Sequence, residues 1–305
     1  MALSQMLNAK MNEVVNLDEN EANSFVTDKV DGFDIGHLVN KRYINDIDNL
    51  ANDYSTNKPF KHIVFDDFFD EEYLKKVLSE FPDLQGKNDK EKISYANARE
   101  RKLTGKGELN FGMMTKILMH YLNSEPFLLW LQKLTGIEET LISDPYFCGG
   151  GFHEIKQGGY LKVHADFNRH YTTMLDRRIN MLIYLNEDWE EEYHGDLQLW
   201  TTDMSECVKR IFPKFNRVVI FNTDDFSYHG LPDAVECPED MSRKSLALYY
   251  YSNGRPASEV SEQNHTTLFQ HRPGQDKKTI GEIVSLFIPP IISKVIYRLR
   301  GRKFE

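Results

Sequence analysis

The sequence predicts an α+β protein in which helices and one strand precede a compact all-β core. After residue 143, about eight short runs of aromatic and β-branched residues alternate with turn signals, which is typical of a β-sandwich, a jelly roll or a cupin-like barrel. Before that point, apolar residues recur at helical intervals. Hydrophobic residues make up 40% of the 305-residue chain, so a large buried core is expected.

The part before the β core is predicted to support it. Its predicted elements are a strand at 60–69 and helices at 40–54, 71–81, 109–122 and 125–134. Asp70 is placed to cap the second helix, while Pro126 and Gly136 mark the first turn and the end of the last one. Residues 84–108 are charged and rich in Gly and Lys, and they are predicted to be a surface loop.

Four regions follow from these patterns. They are a polar N-terminal extension at 1–36, a helical support region with one strand at 37–142, the β core at 143–255, and a C-terminal segment with an amphipathic basic tail at 256–305.

Composition limits the classes of function. The net charge of −10 argues against a nucleic-acid binder that works through a broad basic face. Three widely spaced cysteines indicate a reducing compartment rather than a disulfide framework. The N-terminal sequence lacks the apolar core of a signal peptide, and no apolar run is long enough to span a bilayer. A cytoplasmic location is therefore predicted.

A histidine and an aspartate, His164 and Asp166, stand two apart in "GGYLKVHADFNRHY". Alternate residues of a strand point to one face, so an imidazole and a carboxylate leave the chain side by side. A second histidine would complete the ligand set of a non-haem Fe(II) oxygenase. His229 is the best candidate, because a late jelly-roll strand returns beside an early one. Taken alone, the His-x-Asp pattern also fits a surface aspartate beside a half-buried histidine.

Other histidines are less suitable as the third ligand. His170 is too close to the pair along the chain, and His194 lies in an acidic loop where a solvated histidine is expected. His265 and His271 fall in the polar stretch after the β core.

Arg243 begins the last β run, "RKSLALYYYS", where alternation puts it on one face with Ser245 and Ala247. An arginine that points into a barrel must be paired with an anion. An oxygenase of this kind binds 2-oxoglutarate, and a bidentate arginine matches its distal carboxylate. The alternative is an arginine at a strand start that faces solvent.

Five ordered segments resemble the prolyl-hydroxylase branch of the Fe(II)/2-oxoglutarate dioxygenases. They are "GGYLKVHAD", "RINMLIYLNEDWEEEYHGDLQLW", "PKFNRVVIFN", "SYHGLP" and "RKSLALYYYS". The resemblance extends over residues 145–252, and it is particularly close to the animal hypoxia-factor prolyl hydroxylases at "YLNEDW".

The resemblance implies a double-stranded β-helix core, of the jelly-roll and cupin-like type. It implies that His164, Asp166 and His229 bind iron, and that Arg243 and Tyr184 bind the distal carboxylate of 2-oxoglutarate. The implied cofactor and cosubstrates are Fe(II), 2-oxoglutarate and O2, with ascorbate as an optional addition.

A substrate-pocket arginine of the hypoxia-factor enzymes falls near both Arg177 and Arg178, so the resemblance leaves open which of the two corresponds to it.

The predicted function is hydroxylation of an unactivated C–H bond in a small-molecule, lipid-linked or glycan substrate, with release of succinate and CO2. The first alternative is a protein or peptidyl prolyl hydroxylase. The second is a non-catalytic, cupin-like metal-binding or sensor module, against which Tyr184 and Arg243 argue, because a bare metal binder needs no carboxylate clamp.

The tail at residues 280–303 combines a dense apolar series with a basic end, and Pro289 and Pro290 interrupt it. Such a segment fits peripheral contact with an anionic membrane, which would favour a lipid-linked or glycan substrate. A C-terminal helix packed on the enzyme or on a partner fits it nearly as well.

Overall fold

A computed structural model describes residues 29–30, 33–34, 38–84, 92–97, 99–105, 107–260 and 267–273. The chain divides into two compact units after Gln270, and the described helices and strands all belong to the first unit. The tail at 280–303 and most of the predicted N-terminal extension lie outside the described residues.

The α-helices of the described ranges precede the β core. They are α1 (Lys41–Asn45), α2 (Ile47–Thr56), α3 (Glu71–Ser79), α4 (Met113–Tyr121) and α5 (Glu125–Thr135). The predicted caps are confirmed: the Tyr73 amide donates to the Asp70 side chain, and Gly136 ends α5 with a left-handed φ of 67°. None of these helices is long and apolar enough to cross a bilayer.

Short 3-10 turns occur at Glu108–Asn110, Glu191–Tyr193 and Ala257–Glu259. The strands before the core are β1 (Lys29–Val30), β2 (Phe33–Asp34), β3 (His62–Phe65), β4 (Lys92–Ala96) and β5 (Glu100–Gly105). Those of the core are β6 (Gly151–Lys156), β7 (Tyr160–Ala165), β8 (Asp176–Tyr184), β9 (Leu197–Trp200), β10 (Cys207–Ile211), β11 (Val218–Asn222), β12 (His229–Leu231) and β13 (Ser242–Ser252), and β14 (Leu268–Phe269) follows them.

The large sheet is antiparallel and curls into a jelly roll. Its order is β10-β9-β12-β7-β5-β6-β13-β8-β11-β3, with β4 added beside β5 and β14 beside β7. The predicted α+β class with a double-stranded β-helix core is confirmed. Because β12 is a late strand that returns beside the early β7, residues far apart in sequence meet inside the barrel.

Strand β8 is buried on both faces, and one of these faces packs against the helices. Its odd-numbered residues Ile179, Met181 and Ile183 belong to the main hydrophobic core together with Trp130 and Leu131 of α5. From Ile179 onward, the even-numbered residues therefore point to the other face, which is the inside of the barrel; before Ile179 a register shift interrupts this alternation. Side chains on that face are carried by a rigid support.

The prediction of a surface loop at 84–108 is wrong for β4 and β5, which pair as a β-hairpin. Strand β5 of this hairpin pairs with both β6 and β7. The segment "ERKLTG" carries little apolar alternation, so the sequence gives no strand signal, and the strand exists because neighbouring strands supply its hydrogen bonds.

Two helix boundaries also differ from those predicted. The segment at 40–54 forms two helices that meet at Asp46, and the helix predicted from residue 109 begins at Met113 after a 3-10 turn. Both differences occur at helix ends, where backbone groups without a helical partner can be satisfied by 3-10 bonds, by side chains or by water.

Candidate metal centre

The pairing of β7 with β12 brings the predicted ligands together. In the antiparallel register of these strands, His229 stands directly opposite His164. Asp166 follows β7 on the same face as His164. Four strands, β8 to β11, lie between β7 and β12 in the chain, so the pairing of the two histidines depends on the tertiary fold and not on local sequence.

The three side chains converge on one point. The His164 Nε2 atom lies 3.4 Å from Asp166 Oδ1, and the His229 Nε2 atom lies 3.4 Å from Asp166 Oδ2. All three donor atoms fall within 4.8 Å of one another, which suits a single metal ion. Both histidines are 4% exposed, so the alternative of a surface aspartate beside a half-buried histidine does not describe this site.

Hydrogen bonds at the far ring nitrogens fix the tautomer of both histidines. His164 Nδ1 donates to the carbonyl of Lys162 and His229 Nδ1 donates to the carbonyl of Ser227, each at 2.8 Å. A carbonyl oxygen can only accept, so each Nδ1 carries the hydrogen and each Nε2 presents its lone pair to the cluster. A neutral imidazole held in this way is the usual form of a metal-binding histidine.

Burial lowers the pKa of His164, and the neighbouring His229 adds to this effect, which favours the neutral, metal-binding form. For Asp166, burial alone would raise the pKa, but the adjacent Arg177 guanidinium opposes this, and the pKa lies well below its usual range. The donors present, two neutral imidazoles and one carboxylate, therefore fit Fe(II).

The two residues of the predicted carboxylate clamp lie on neighbouring strands, Tyr184 on β8 and Arg243 on β13. Arg243 is 6% exposed, so it does not face solvent, and its Nε donates to the Gly195 carbonyl at 2.7 Å. Its guanidinium carbon lies 4.8 Å from the centroid of the Tyr184 ring. A buried cation beside a phenol is a suitable partner for a carboxylate.

The Tyr184 hydroxyl is buried and has no partner at good hydrogen-bond geometry among the described residues. Burial raises the pKa of Tyr184, and Arg243 opposes this shift. A buried hydroxyl that lacks a partner is costly unless a ligand satisfies it, so this atom fits the carboxylate of a bound 2-oxoglutarate.

The inside of the barrel is apolar around these groups. A cluster of buried side chains surrounds Tyr184, and it consists of Leu197, Leu199, Ile211, Val219 and Phe221. The Phe221 ring lies 4.7 Å from the ring of His229, and the Phe269 ring of β14 lies 5.5 Å from that of His164. Close packing on both histidines restricts their rotation.

Sequence reasoning missed the residues that hold Asp166. Arg177 NH2 donates to Asp166 Oδ2 at 2.9 Å, and Asn180 Nδ2 donates to the same oxygen at 3.1 Å. Arg178 instead pairs with Glu139 at 2.6 Å. Alternation along β8 offers a signal for Asn180, because it shares the inward face with Tyr184.

A second group of three donors occurs among the described residues. Asp144, Cys148 and His170 also lie within 4.8 Å of one another. His170 and Asp144 are 2% and 5% exposed, so burial alone does not distinguish this group from the first one.

Residues 150–251 match the family model described as 2OG-Fe(II) oxygenase superfamily. The β core is a 2OG-Fe(II) oxygenase domain. This oxygenase core takes Fe(II), 2-oxoglutarate and O2 as cofactor and cosubstrates.

The chain is similar to the mouse protein named prolyl 3-hydroxylase OGFOD1. The two are 25% identical over 198 residues, which cover 63% of this chain and 33% of that protein, so the chain spans one third of the length of this relative.

Two solved structures are also similar to the chain. A Pseudomonas putida prolyl-4-hydroxylase has a TM-score of 0.47 and 14% identity, and the match covers 67% of this chain and 100% of that one. A Trichoplax adhaerens prolyl hydroxylase in complex with a peptide fragment of the hypoxia-inducible-factor degradation domain has a TM-score of 0.48 and 17% identity, with 70% and 94% covered.

Proposed function

We propose that this oxygenase is a hydroxylase in which His164, Asp166 and His229 hold the iron. Arg243 and Tyr184 hold the distal carboxylate of 2-oxoglutarate. The observation that carries the proposal is the pair of Nδ1 hydrogen bonds to backbone carbonyls, because they direct two imidazole lone pairs at the carboxylate of Asp166.

When bound, iron and 2-oxoglutarate together supply the oxidation of a C–H bond by O2, with release of succinate and CO2. The residues of the chain bind and orient these groups. The apolar barrel lining keeps bulk water away, and this strengthens the pairing of Arg243 with a carboxylate. The carboxylate of Asp166 leaves no vacancy for a halide ligand, which favours hydroxylation over halogenation.

The first experiment needs no substrate. Fe(II) and 2-oxoglutarate are added to the protein without oxygen, and the visible metal-to-ligand charge-transfer band is recorded. We expect a band that is lost in Asp166→Ala and weakened in Arg243→Ala. Fe(II) binding without a band in the unaltered chain would contradict the clamp and favour the non-catalytic metal module.

For the substrate, we propose a proline in a peptide or protein. The support is the name of the mouse relative, a prolyl 3-hydroxylase. The alternative of a small-molecule, lipid-linked or glycan substrate rests mainly on residues 280–303, which lie outside the described residues.

Proline-containing peptide libraries test this choice. We expect a mass gain of one oxygen atom on proline, dependent on 2-oxoglutarate and absent in His164→Ala. If 2-oxoglutarate is consumed with lipid-linked sugars or small polyols but no peptide gains mass, the peptidyl substrate is wrong while the oxygenase assignment stands.

Contact of residues 280–303 with an anionic membrane, at the cytoplasmic face, stays a proposal. Its support is the apolar series that ends in Arg298, Arg300, Arg302 and Lys303. Sedimentation with phosphatidylserine vesicles compares the full chain with a chain that ends at residue 273. Equal sedimentation of the two would contradict membrane contact through this tail.

A further inference from the structure

The carboxylate of Asp166 is anchored through one of its two oxygens. Arg177 and Asn180, both on β8, donate to Oδ2 at 2.9 and 3.1 Å. Both oxygens lie 3.4 Å from a histidine nitrogen that carries no hydrogen, Oδ1 from His164 Nε2 and Oδ2 from His229 Nε2, so only the donors on Oδ2 distinguish the two. Two donors fill the lone-pair positions of Oδ2, so Oδ1 is the oxygen left for a metal ion.

We propose that Arg177 and Asn180 are positioning residues that hold Asp166 as a ligand through a single oxygen. A carboxylate that is free to turn can present both oxygens to one ion or rotate away from it. Restraint of Oδ2 prevents both, and it keeps the remaining coordination positions open for 2-oxoglutarate and O2.

The environment of Arg177 holds its guanidinium in place beside Asp166. Its side chain is fully buried between two aromatic rings, with the guanidinium carbon 3.5 Å from the centroid of Tyr249 and 4.4 Å from that of Phe167. The rings cover the faces of the guanidinium, and Nε and Nη1 have no hydrogen-bond partner among the described residues. An enclosed group of this kind is fixed in place beside the carboxylate that it holds.

The adjacent residue, Arg178, is a matched control. It is also buried, at 3% exposed, but the register of β8 on β13 shifts between Arg177 and Ile179, and the Arg178 side chain points away from Asp166. Its partners are Glu139 at 2.6 Å, Ser252 at 2.9 Å and Glu259 at 3.5 Å, none of which is a candidate metal ligand. Replacement of Arg178 therefore disturbs a buried arginine of the same strand without touching Asp166.

The test measures the affinity of the full chain for Fe(II), with Co(II) as a second probe, in the absence of oxygen, 2-oxoglutarate and substrate. We expect Arg177→Met and Asn180→Leu each to weaken Fe(II) binding by about 10- to 100-fold, because outer partners of metal ligands have effects of this size. Arg178→Met should lower the melting temperature and leave the affinity unchanged. Arg177→Lys should recover part of the loss, because it restores a donor to Oδ2.

The direction of the change in Fe(II) affinity distinguishes a positioning role of Arg177 from a purely electrostatic one. If Arg177 mattered only as a cation beside the ion, its removal would tighten Fe(II) binding, and the uncharged Asn180 would have no effect. Unchanged or tighter binding in Arg177→Met overturns the proposal. Should that variant fail to fold, Asn180→Leu decides in the same way.

The experiment contains no peptide, so its outcome is independent of the proposed proline substrate. It does depend on the ligand assignment. Fe(II) binding that survives His164→Ala would refute that assignment, whereas Fe(II) binding that is lost in His164→Ala but unaffected in Asn180→Leu would refute only the positioning role.

Discussion

Two clusters in this molecule resemble each other in composition. One consists of His164, Asp166 and His229, and the other, hereafter the second cluster, consists of Asp144, Cys148 and His170. In both, a buried histidine faces a buried or nearly buried aspartate, at 3.4 Å in the first and 3.6 Å in the second.

The clusters differ in the hydrogen bonds of the histidine Nδ1 atoms. In the second cluster, His170 Nδ1 accepts from the backbone amides of Thr172 and Thr173, at 3.1 and 3.0 Å. An Nδ1 that accepts carries no hydrogen, so in the neutral ring the hydrogen is on Nε2, which lies 3.6 Å from Asp144 Oδ1. The lone pair that a metal needs is absent there, whereas His164 and His229 both provide it.

The other members of the second cluster are also used by the protein itself. Asp144 accepts from the amides of Tyr146 and Cys148, at 2.9 and 2.7 Å. The Cys148 thiol donates to the Tyr171 hydroxyl at 3.4 Å, and burial raises the pKa of this thiol. The second cluster therefore fastens a loop, and the comparison teaches that the direction of lone pairs, rather than the number of donor residues, distinguishes a metal site.

The largest expected effect separates the two clusters directly. Asp166→Ala and His164→Ala should abolish the anaerobic charge-transfer band and turnover, because each removes one of three donors. Asp144→Ala should retain both. Loss of the band in Asp144→Ala at a temperature where the variant is folded would contradict the comparison, and a thermal melt checks folding.

Arg243→Ala should weaken 2-oxoglutarate binding by about 100-fold, since it removes a buried partner of the carboxylate. Fe(II) affinity without 2-oxoglutarate should stay the same. The measurement is a titration of 2-oxoglutarate followed by the charge-transfer band. A variant with unchanged 2-oxoglutarate affinity would show that the clamp lies elsewhere.

The second cluster should contribute to stability and bind no metal. Asp144→Ala leaves two amides without their acceptor, so we expect a loss of about 2 kcal/mol in the free energy of unfolding. Chemical denaturation measures this loss.

Metal analysis should give one equivalent of Fe(II) per chain in both the unaltered protein and His170→Ala. A second equivalent that disappears in His170→Ala would contradict this expectation.

The smallest expected effect concerns the Cys148 thiol. Its raised pKa means that less thiolate is present near neutral pH than for an ordinary cysteine, and the thiolate fraction increases only as the pH rises toward that pKa. In a variant that carries Cys207→Ser and Cys237→Ser, alkylation by iodoacetamide should be a few-fold slower than for a free cysteine at the same pH. Faster alkylation would indicate a thiolate, and with it a potential metal ligand.

Local sequence was sufficient for several features of the fold and of the site. The cap at Asp70 and the end of α5 at Gly136 depend on residues within one turn, and both were predictable. The separation of His164 and Asp166 by one residue places them on one face of any strand. The tautomers of His164 and His229 are also determined by nearby residues, because each Nδ1 donates to the backbone carbonyl two residues earlier in the chain.

Other features depend on partners distant in sequence. The polar hairpin at 92–105 is stabilised by β6 and β7, and its own residues carry no strand pattern. The role of Arg177 depends on the placement of β8 beside Asp166, since nothing in a pair of adjacent arginines tells which one faces the site.

The sequence by itself thus determined the types and spacing of the candidate ligands, the alternation of the strands with turns, and the position of His229 late in the chain. The tertiary structure decided that His229 stands opposite His164, that Arg243 and Tyr184 share one buried pocket, and that Asp144, Cys148 and His170 are held by backbone hydrogen bonds. The physical reason is that side-chain direction follows from a few neighbouring residues, whereas strand register and burial depend on contacts made by the whole folded sheet.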